Sequence, residues 1–327
     1  MSADEAIGKL DSSMRVGLPP GCGEPRALTE ALVRNARSFR GLTLVGGLLL
    51  TAYDFLREEL AENFRFVTWH VMPAIREAVR SGRVEFLPIR YSEVIAFLSQ
   101  NGPWAVDAML IQTSPPDAHG YLSLGPSVSY PLPVARQAPL VIAEVNAQCP
   151  RTLGDSSIHM DKVDWLVESA RPPVTYGTPK VGDIERKIAS HVAELIPDGA
   201  TLQIGIGSIP EAILECLPAK KDIGIHSMIV DNMIELVERG VITNRKKTLN
   251  PGKFDVTELM GSEKLWRFVH ENPGVNMQPS SFTHDPRVIA QIKDFVSVNS
   301  AIEIDLMGQV NSESIGETQV SGIGGQF

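Results

Sequence analysis

Between Gln203 and Gly240 the chain reads QIGIGSIPEAILECLPAKKDIGIHSMIVDNMIELVERG, an order of residues that few topologies accommodate. It predicts strand, glycine loop, helix, strand, helix. Thr201 to Ile204 suit a buried strand, which Gly205-Ile206-Gly207 then breaks. Ser208 and Glu211 stand at capping-box spacing, with Pro210 in the first turn where its missing N–H costs little. Ile209, Ile213, Cys216 and Leu217 recur at helical spacing and give that helix one apolar face. A short strand, Ile223 to Ile225, leads to a second helix starting at Met228. Its stripe is Ile229, Met233, Ile234 and Val237, and Gly240 is its C-cap. Glycines between a strand and a helix N-terminus let a ligand approach bare backbone, with N–H groups aimed at negative charge. The same pattern also serves plain strand-to-helix packing, so it constrains fold before function.

The 327 residues allow one large domain or two ordinary ones. With 43% apolar and 21% charged residues the chain is globular, with ample core. A formal charge of −9 argues against a nucleic-acid binder, whose phosphate affinity rests on Lys and Arg. Cys22, Cys149 and Cys216 are scattered, so neither a disulfide scaffold nor a zinc site is expected, and no other metal is. The N-terminus is acidic and polar, unlike a signal peptide. The longest apolar run, Leu42 to Ala52, is too short to span a bilayer. A cytoplasmic protein that contacts neither membrane nor nucleic acid is expected.

Along the chain, Pro25 to Phe39 reads as a helix, Leu42 to Val45 as a buried strand and Tyr53 to Leu60 as a helix. Phe64 to Val71, Val84 to Pro88, Val106 to Gln112 and Leu140 to Asn146 read as strands, interleaved with helices near 73–80 and 91–100. This alternation predicts an α/β layer with a mostly parallel sheet. The stretch 171–179 is poor in structure and marks a candidate boundary between domains at 1–178 and 179–327. Beyond it, Asp183 to Leu195 and Ser262 to His270 read as helices. Val256 to Met260, Val275 to Met277 and Phe295 to Leu306 read as strands.

Four constellations could carry chemistry, each with a plainer reading. Arg151 lies in NAQCPRTLGD and could bind an anion or tie a loop. His119, in the turn-rich loop SPPDAHGY after a strand, could donate to a carbonyl or sit in solvent. Glu303 and Asp305 would share one face of a strand. The terminal Ser321-Gly322-Ile323-Gly324-Gly325 loop could approach a cofactor or be a turn.

Taken together, GCGEP at 21–25, SPPDAHGYLSLG at 114–125, EVNAQCPRTLGDSSIH at 144–159, GIGSIP at 205–210, IHS at 225–227 and SGIGGQ at 321–326 carry a resemblance. In that order they resemble the acetyl-CoA hydrolase/transferase family, within the family I CoA-transferases. The resemblance covers nearly the whole chain. It implies two similar open α/β domains meeting at an active-site cleft, in a homo-oligomer, with coenzyme A as substrate. It implies CoA exchange between an acyl-CoA and a small carboxylate of the acetate, butyrate or 4-hydroxybutyrate type. In such enzymes a glutamate attacks the acyl-CoA to give an anhydride. CoA thiolate converts this to a glutamyl thioester, from which a second carboxylate takes CoA. Gly205, Ile206 and Gly207 would offer N–H groups to the oxyanion, with Ser208 and Ile209 beside them on the CoA path. Gly322, Gly324 and Gly325 would line the CoA channel, and Asp117, His119 and His226 the substrate pocket.

Two departures qualify the resemblance. Relatives place the glutamate directly after Ile-His-Ser or Ile-His-Thr and before Met, but here Met228 follows Ser227 at once. The carboxylate is deleted rather than substituted. Glu235 is about 10 Å along the expected helix, at 1.5 Å per residue, and Glu258 on the next strand is the other acid considered as a substitute. Relatives also continue past the glycine loop, so the second domain is expected to be truncated. Three readings stay open: transferase, acyl-CoA hydrolase, and a catalytically silent CoA-binding or partner subunit.

Overall fold

The computed structural model describes residues 1–51 and 53–325. Seven parallel strands build the first sheet: Arg15–Leu18 (β1), Leu42–Gly46 (β2), Phe64–Thr68 (β3), Val84–Phe86 (β4), Ala108–Thr113 (β5) and, after Tyr121–Ser123 (β6), Leu140–Asn146 (β7). Ser157–His159 (β8) then precedes Trp165–Ser169 (β9), the seventh. The order is β4-β3-β2-β1-β5-β7-β9, while β6 and β8 pair antiparallel by themselves. β5 is buried at every position, as a parallel strand covered on both faces requires.

The second sheet is also parallel. Thr201–Ile204 (β10), Gly224–Val230 (β11), Phe254–Met260 (β12), Val275–Met277 (β13) and Phe295–Val298 (β14) lie in the order β13-β12-β11-β10-β14. β12 is buried throughout. The fold is therefore two open parallel α/β sheets, as the alternation predicts. They are joined where segment 126–128 of the first half bonds to β12: Val128 N–H donates to the Thr257 carbonyl at 3.2 Å and Leu259 N–H to that of Pro126 at 2.8 Å.

Several sequence expectations are corrected. Met228 does not begin a helix: β11 continues through Val230, and the helix is Asn232–Glu238. Ile229 is thus a buried strand residue, while Met233 and Ile234 form the buried helical stripe. Ser208 and Glu211 form no capping box. The N-cap is Gly207, Ser208 Oγ lies 3.3 Å from Glu185, and Glu211 accepts from Asn232 at 2.5 Å. Tyr53 to Leu60 holds two short 3-10 turns, Asp54–Leu56 and Glu58–Leu60, in place of a helix. β14 stops at Val298, and Glu303 and Asp305 belong to surface hairpin structure. There Glu303 accepts from Asn311 at 2.7 Å and Asp305 from Gln309, so they are not a facing acid pair. β1 and β9 are strands that the sequence reading did not anticipate.

Candidate active site

β10 ends at Ile204, and Gly205-Ile206-Gly207 turns the chain into the Ser208–Cys216 helix. Gly207 carries φ +123°, a conformation that favours glycine. The first N–H to bond back is that of Glu211, to Gly207 at 3.2 Å. The N–H groups ahead of it form the electropositive end of the helix. Beside this end lies a cavity of about 160 Å³. That is the size at which one small organic molecule fits, an engineered pocket of about 150 Å³ holding benzene.

Gly205 and Ile206 line the cavity with Gln203, Ser227, Met228 and Glu258. Gly324 and Gly325 close another side. The terminal loop is held against the first half: Arg76 Nε donates to the Val320 carbonyl at 2.9 Å. Gly322 lies so near Trp69 that a Cβ would fall 2.2 Å from its carbonyl oxygen. Gln326 of the terminal motif lies outside the described residues. Both halves meet here, since Gly21, His70 and Tyr91 also face the cavity.

The register of β11 on β12 breaks at this point. Ser227 pairs with Val256, and Met228, the next residue, pairs with Glu258, so Thr257 has no partner in β11. Ser227 takes φ +84° to make the step. A non-glycine residue there costs roughly 1–3 kcal/mol. β11 is one residue short against its neighbour, at the position where the family resemblance leads one to expect a glutamate. The deficit is absorbed inside the strand ladder, not at a strand-to-helix junction.

Glu258 is 6% exposed. Its Oε1 accepts from Ser127 Oγ at 2.9 Å and from Tyr91 OH at 3.1 Å, while Oε2 is buried without a partner. Burial pushes its carboxyl up to about 8. Burial also pushes His70 and His284 down to about 4, so both rings are neutral near pH 7. Sequence reasoning missed Tyr91, Ser127, His70 and His284. His70, Tyr91 and Ser127 reach the site from the first half, and His284 from the loop after β13, so no local pattern joins them.

The remaining predicted residues fall elsewhere. His226 is buried with Nε2 2.8 Å from the Thr283 carbonyl and does not line the cavity. Asp117 and His119 are exposed in their loop; Asp117 accepts from the backbone of His119 and Tyr121, both at 2.9 Å. Arg151 ties that loop down, donating to the Pro115 and Tyr121 carbonyls at 2.7 Å. Ser208 and Ile209 start the helix behind the glycine turn. Glu235 is exposed and paired with Arg239 at 3.4 Å, far from any catalytic role. Among the described residues no cluster of three or more His, Cys, Asp or Glu could hold a metal, and no helix is long and apolar enough to cross a membrane.

Two parallel α/β halves that share a cleft at a glycine turn define a CoA-transferase architecture. The chain belongs to the acetyl-CoA hydrolase/transferase family: residues 1–176 match its N-terminal domain and 261–327 its C-terminal domain. It is 45% identical to a 4-hydroxybutyrate coenzyme A transferase of Clostridium kluyveri, over 100% of this chain and 76% of that one. RipA from Yersinia pestis superposes with a TM-score of 0.88 at 30% identity, covering 96% of this chain and 75% of RipA. A 4-hydroxybutyrate CoA-transferase from Porphyromonas gingivalis gives 0.78 at 32%, covering 95% and 75%. By family the chain is thus a CoA-transferase.

Proposed function

We propose that this chain binds an acyl-CoA and a small carboxylate in the cavity beside the Gly205-Ile206-Gly207 turn, and that as written it exchanges CoA poorly. The observation that carries this reading is the register break: the strand position between Ser227 and Met228 is missing where the family nucleophile belongs. An anhydride requires an ionised oxygen nucleophile, which Met228 cannot supply. The helix N-terminus and glycine turn still offer N–H groups to a thioester oxygen, so binding survives where turnover does not. The CoA path runs past Gly324 and Gly325, and the acceptor is a short carboxylate, as the names of the relatives suggest. Domains divide at 178/179, inside a stretch without helix or strand. The chain works as a homo-oligomer in the cytoplasm.

The register break equally favours a second reading, a silent CoA-binding partner subunit. Titration with CoA and acetyl-CoA, followed by label exchange between acetyl-CoA and butyrate, tests the assignment. Binding with little exchange is expected. Absence of CoA binding would overturn it. Free CoA released without new acyl-CoA would mark a hydrolase.

A further inference from the structure

The glycine turn and the cavity lie beyond the C-terminal ends of the strands. At the opposite end of the first sheet, the ladder sets Arg15 of β1 beside Thr43 of β2, and Thr43 beside Arg65 of β3. Phe66 pairs with Val84, so Arg83 follows at the edge, just ahead of β4. Register neighbours share a face, and neighbouring strands lie about 4.8 Å apart, so Arg15 and Arg65 flank the Thr43 side chain. A groove of about 520 Å³ runs over this row, and Glu85 and Trp104 line it too.

Many arginines of the chain stand against carboxylates, as Arg34 does against Asp4 and Arg136 against Asp155. Among the described residues those of this row have no ion pair. Arg15 donates to the Ala105 carbonyl at 3.3 Å, with its guanidinium 5.2 Å from the Trp104 ring centre. Arg83 donates to the carbonyls of Leu56 and Arg57. The Arg65 guanidinium has no partner. Two neutral donors are left over as well. The Thr43 hydroxyl and the Trp104 indole N–H bond to nothing, although both side chains are half-buried, where an indole N–H usually finds an acceptor. Glu85 is the one acid among the described lining residues, and it forms no ion pair. Asp107 accepts the backbone N–H of Arg15 at 2.8 Å and does not line the groove.

We propose that this groove binds the phosphate group of a small ligand, with Arg15 and Arg65 clasping it from either side and Thr43 donating between them. Three guanidiniums against the Glu85 carboxylate leave two positive charges. A phosphate monoester, at about −1.5 to −2 near pH 7, matches them. A guanidinium offers paired N–H groups that suit two phosphate oxygens, and two guanidiniums need more acceptors than a single carboxylate presents. The chain as a whole carries a formal charge of −9, so the row is a local feature against the general field. The site is remote from the cleft. His70, which faces the cavity, lies five residues beyond Arg65, about 16 Å at 3.3 Å per residue. It is therefore a second ligand site, independent of the CoA-transfer reading.

The test is isothermal titration of inorganic phosphate and of glycerol 3-phosphate in low-salt buffer, with Arg15→Gln, Arg65→Gln and Thr43→Val alongside. The native chain should bind one phosphate. Either arginine variant should bind it about tenfold or more weakly, the scale of a lost hydrogen bond to a charged group. Thr43→Val, of similar shape, should weaken it by a smaller factor. Arg65 makes no internal bond, so its loss should leave the fold intact, which circular dichroism checks. Equal affinity for the two probes identifies inorganic phosphate as sufficient, and tighter binding of glycerol 3-phosphate identifies an organic phosphate. CoA affinity of the same samples should not change with Arg65→Gln or with saturating phosphate. Absence of phosphate binding, or binding that Arg65→Gln leaves unchanged, would overturn the proposal. Displacement of phosphate by CoA would overturn it too, since the phosphate would then occupy the CoA cleft.

Discussion

Met228 stands opposite Glu258 in the parallel pair of β11 and β12, although the residue before it, Ser227, stands opposite Val256. One residue of β11 spans two of β12. A parallel ladder does not skip a residue without a local cost, and here the cost appears as the left-handed backbone of Ser227. The step also brings the thioether of Met228 and the acid of Glu258 to the same cavity wall.

Adding one residue between Ser227 and Met228 should restore an even register, with the new residue opposite Thr257. Ser227 could then return to an extended conformation. Inserting a single Ala should stabilise the chain by about 1–3 kcal/mol, the scale of the strain relieved. Urea unfolding of the two proteins reads this out. An insertion that destabilises would show that the shortened strand is the better-fitting one.

Stability should fall as pH rises from 6.5 to 8. Glu258 titrates at about 8 in the folded chain against an ordinary 4.5, so between those values the native state holds a proton that the unfolded chain has released. Stability is lost across that window by at most about 1.4 kcal/mol per pH unit. His70 and His284 act in the opposite sense, but only between about 4 and 6.5, where the unfolded chain takes up protons that the buried rings refuse. Denaturation midpoints at pH 6.5, 7.2 and 8, with Glu258→Gln for comparison, check this. The variant should show a flatter slope, and an equal slope would mean that Glu258 is ionised in the native state.

Lys247→Met should destabilise by about 3–5 kcal/mol, the usual result of stranding a buried charge. Lys247 and Asp255 are fully buried with Nζ and Oδ2 2.7 Å apart. Nζ also donates to the carbonyls of Ile225 and Lys253, pinning β11 to β12 ahead of the register break. Thermal unfolding measures the loss. A double variant with Asp255→Asn should recover part of it, because Asn250 and Asn276 still bond that position.

Much of this architecture was legible in the sequence, because parallel strands buried on both faces appear as apolar runs with sharp ends. The expected bounds of β7, β10 and β13 coincide with the observed strands. The sequence expectation of a helix from Met228 fails because Met228 to Val230 is equally compatible with a buried strand or a helix start, and local periodicity does not decide. Of the site, the glycine turn is legible directly as a local pattern between strand and helix. Glu258 stands out in the sequence only as an acid on a strand where an apolar residue is expected. Its buried, hydrogen-bonded setting emerges only through Ser127 and Tyr91, which lie 131 and 167 positions away in the chain. No local rule joins residues at that separation.

The central claim is that a carboxylate is missing between Ser227 and Met228 and that nothing in the cavity replaces it. Label exchange from acetyl-CoA to butyrate should be measured for the chain as it stands, with Glu inserted at that position, and with Ala inserted as control. Exchange should rise on the order of a thousandfold or more with Glu, the scale lost when an enzyme's nucleophile is removed, and stay at the starting level with Ala. Equal and rapid exchange by all three proteins would contradict the account.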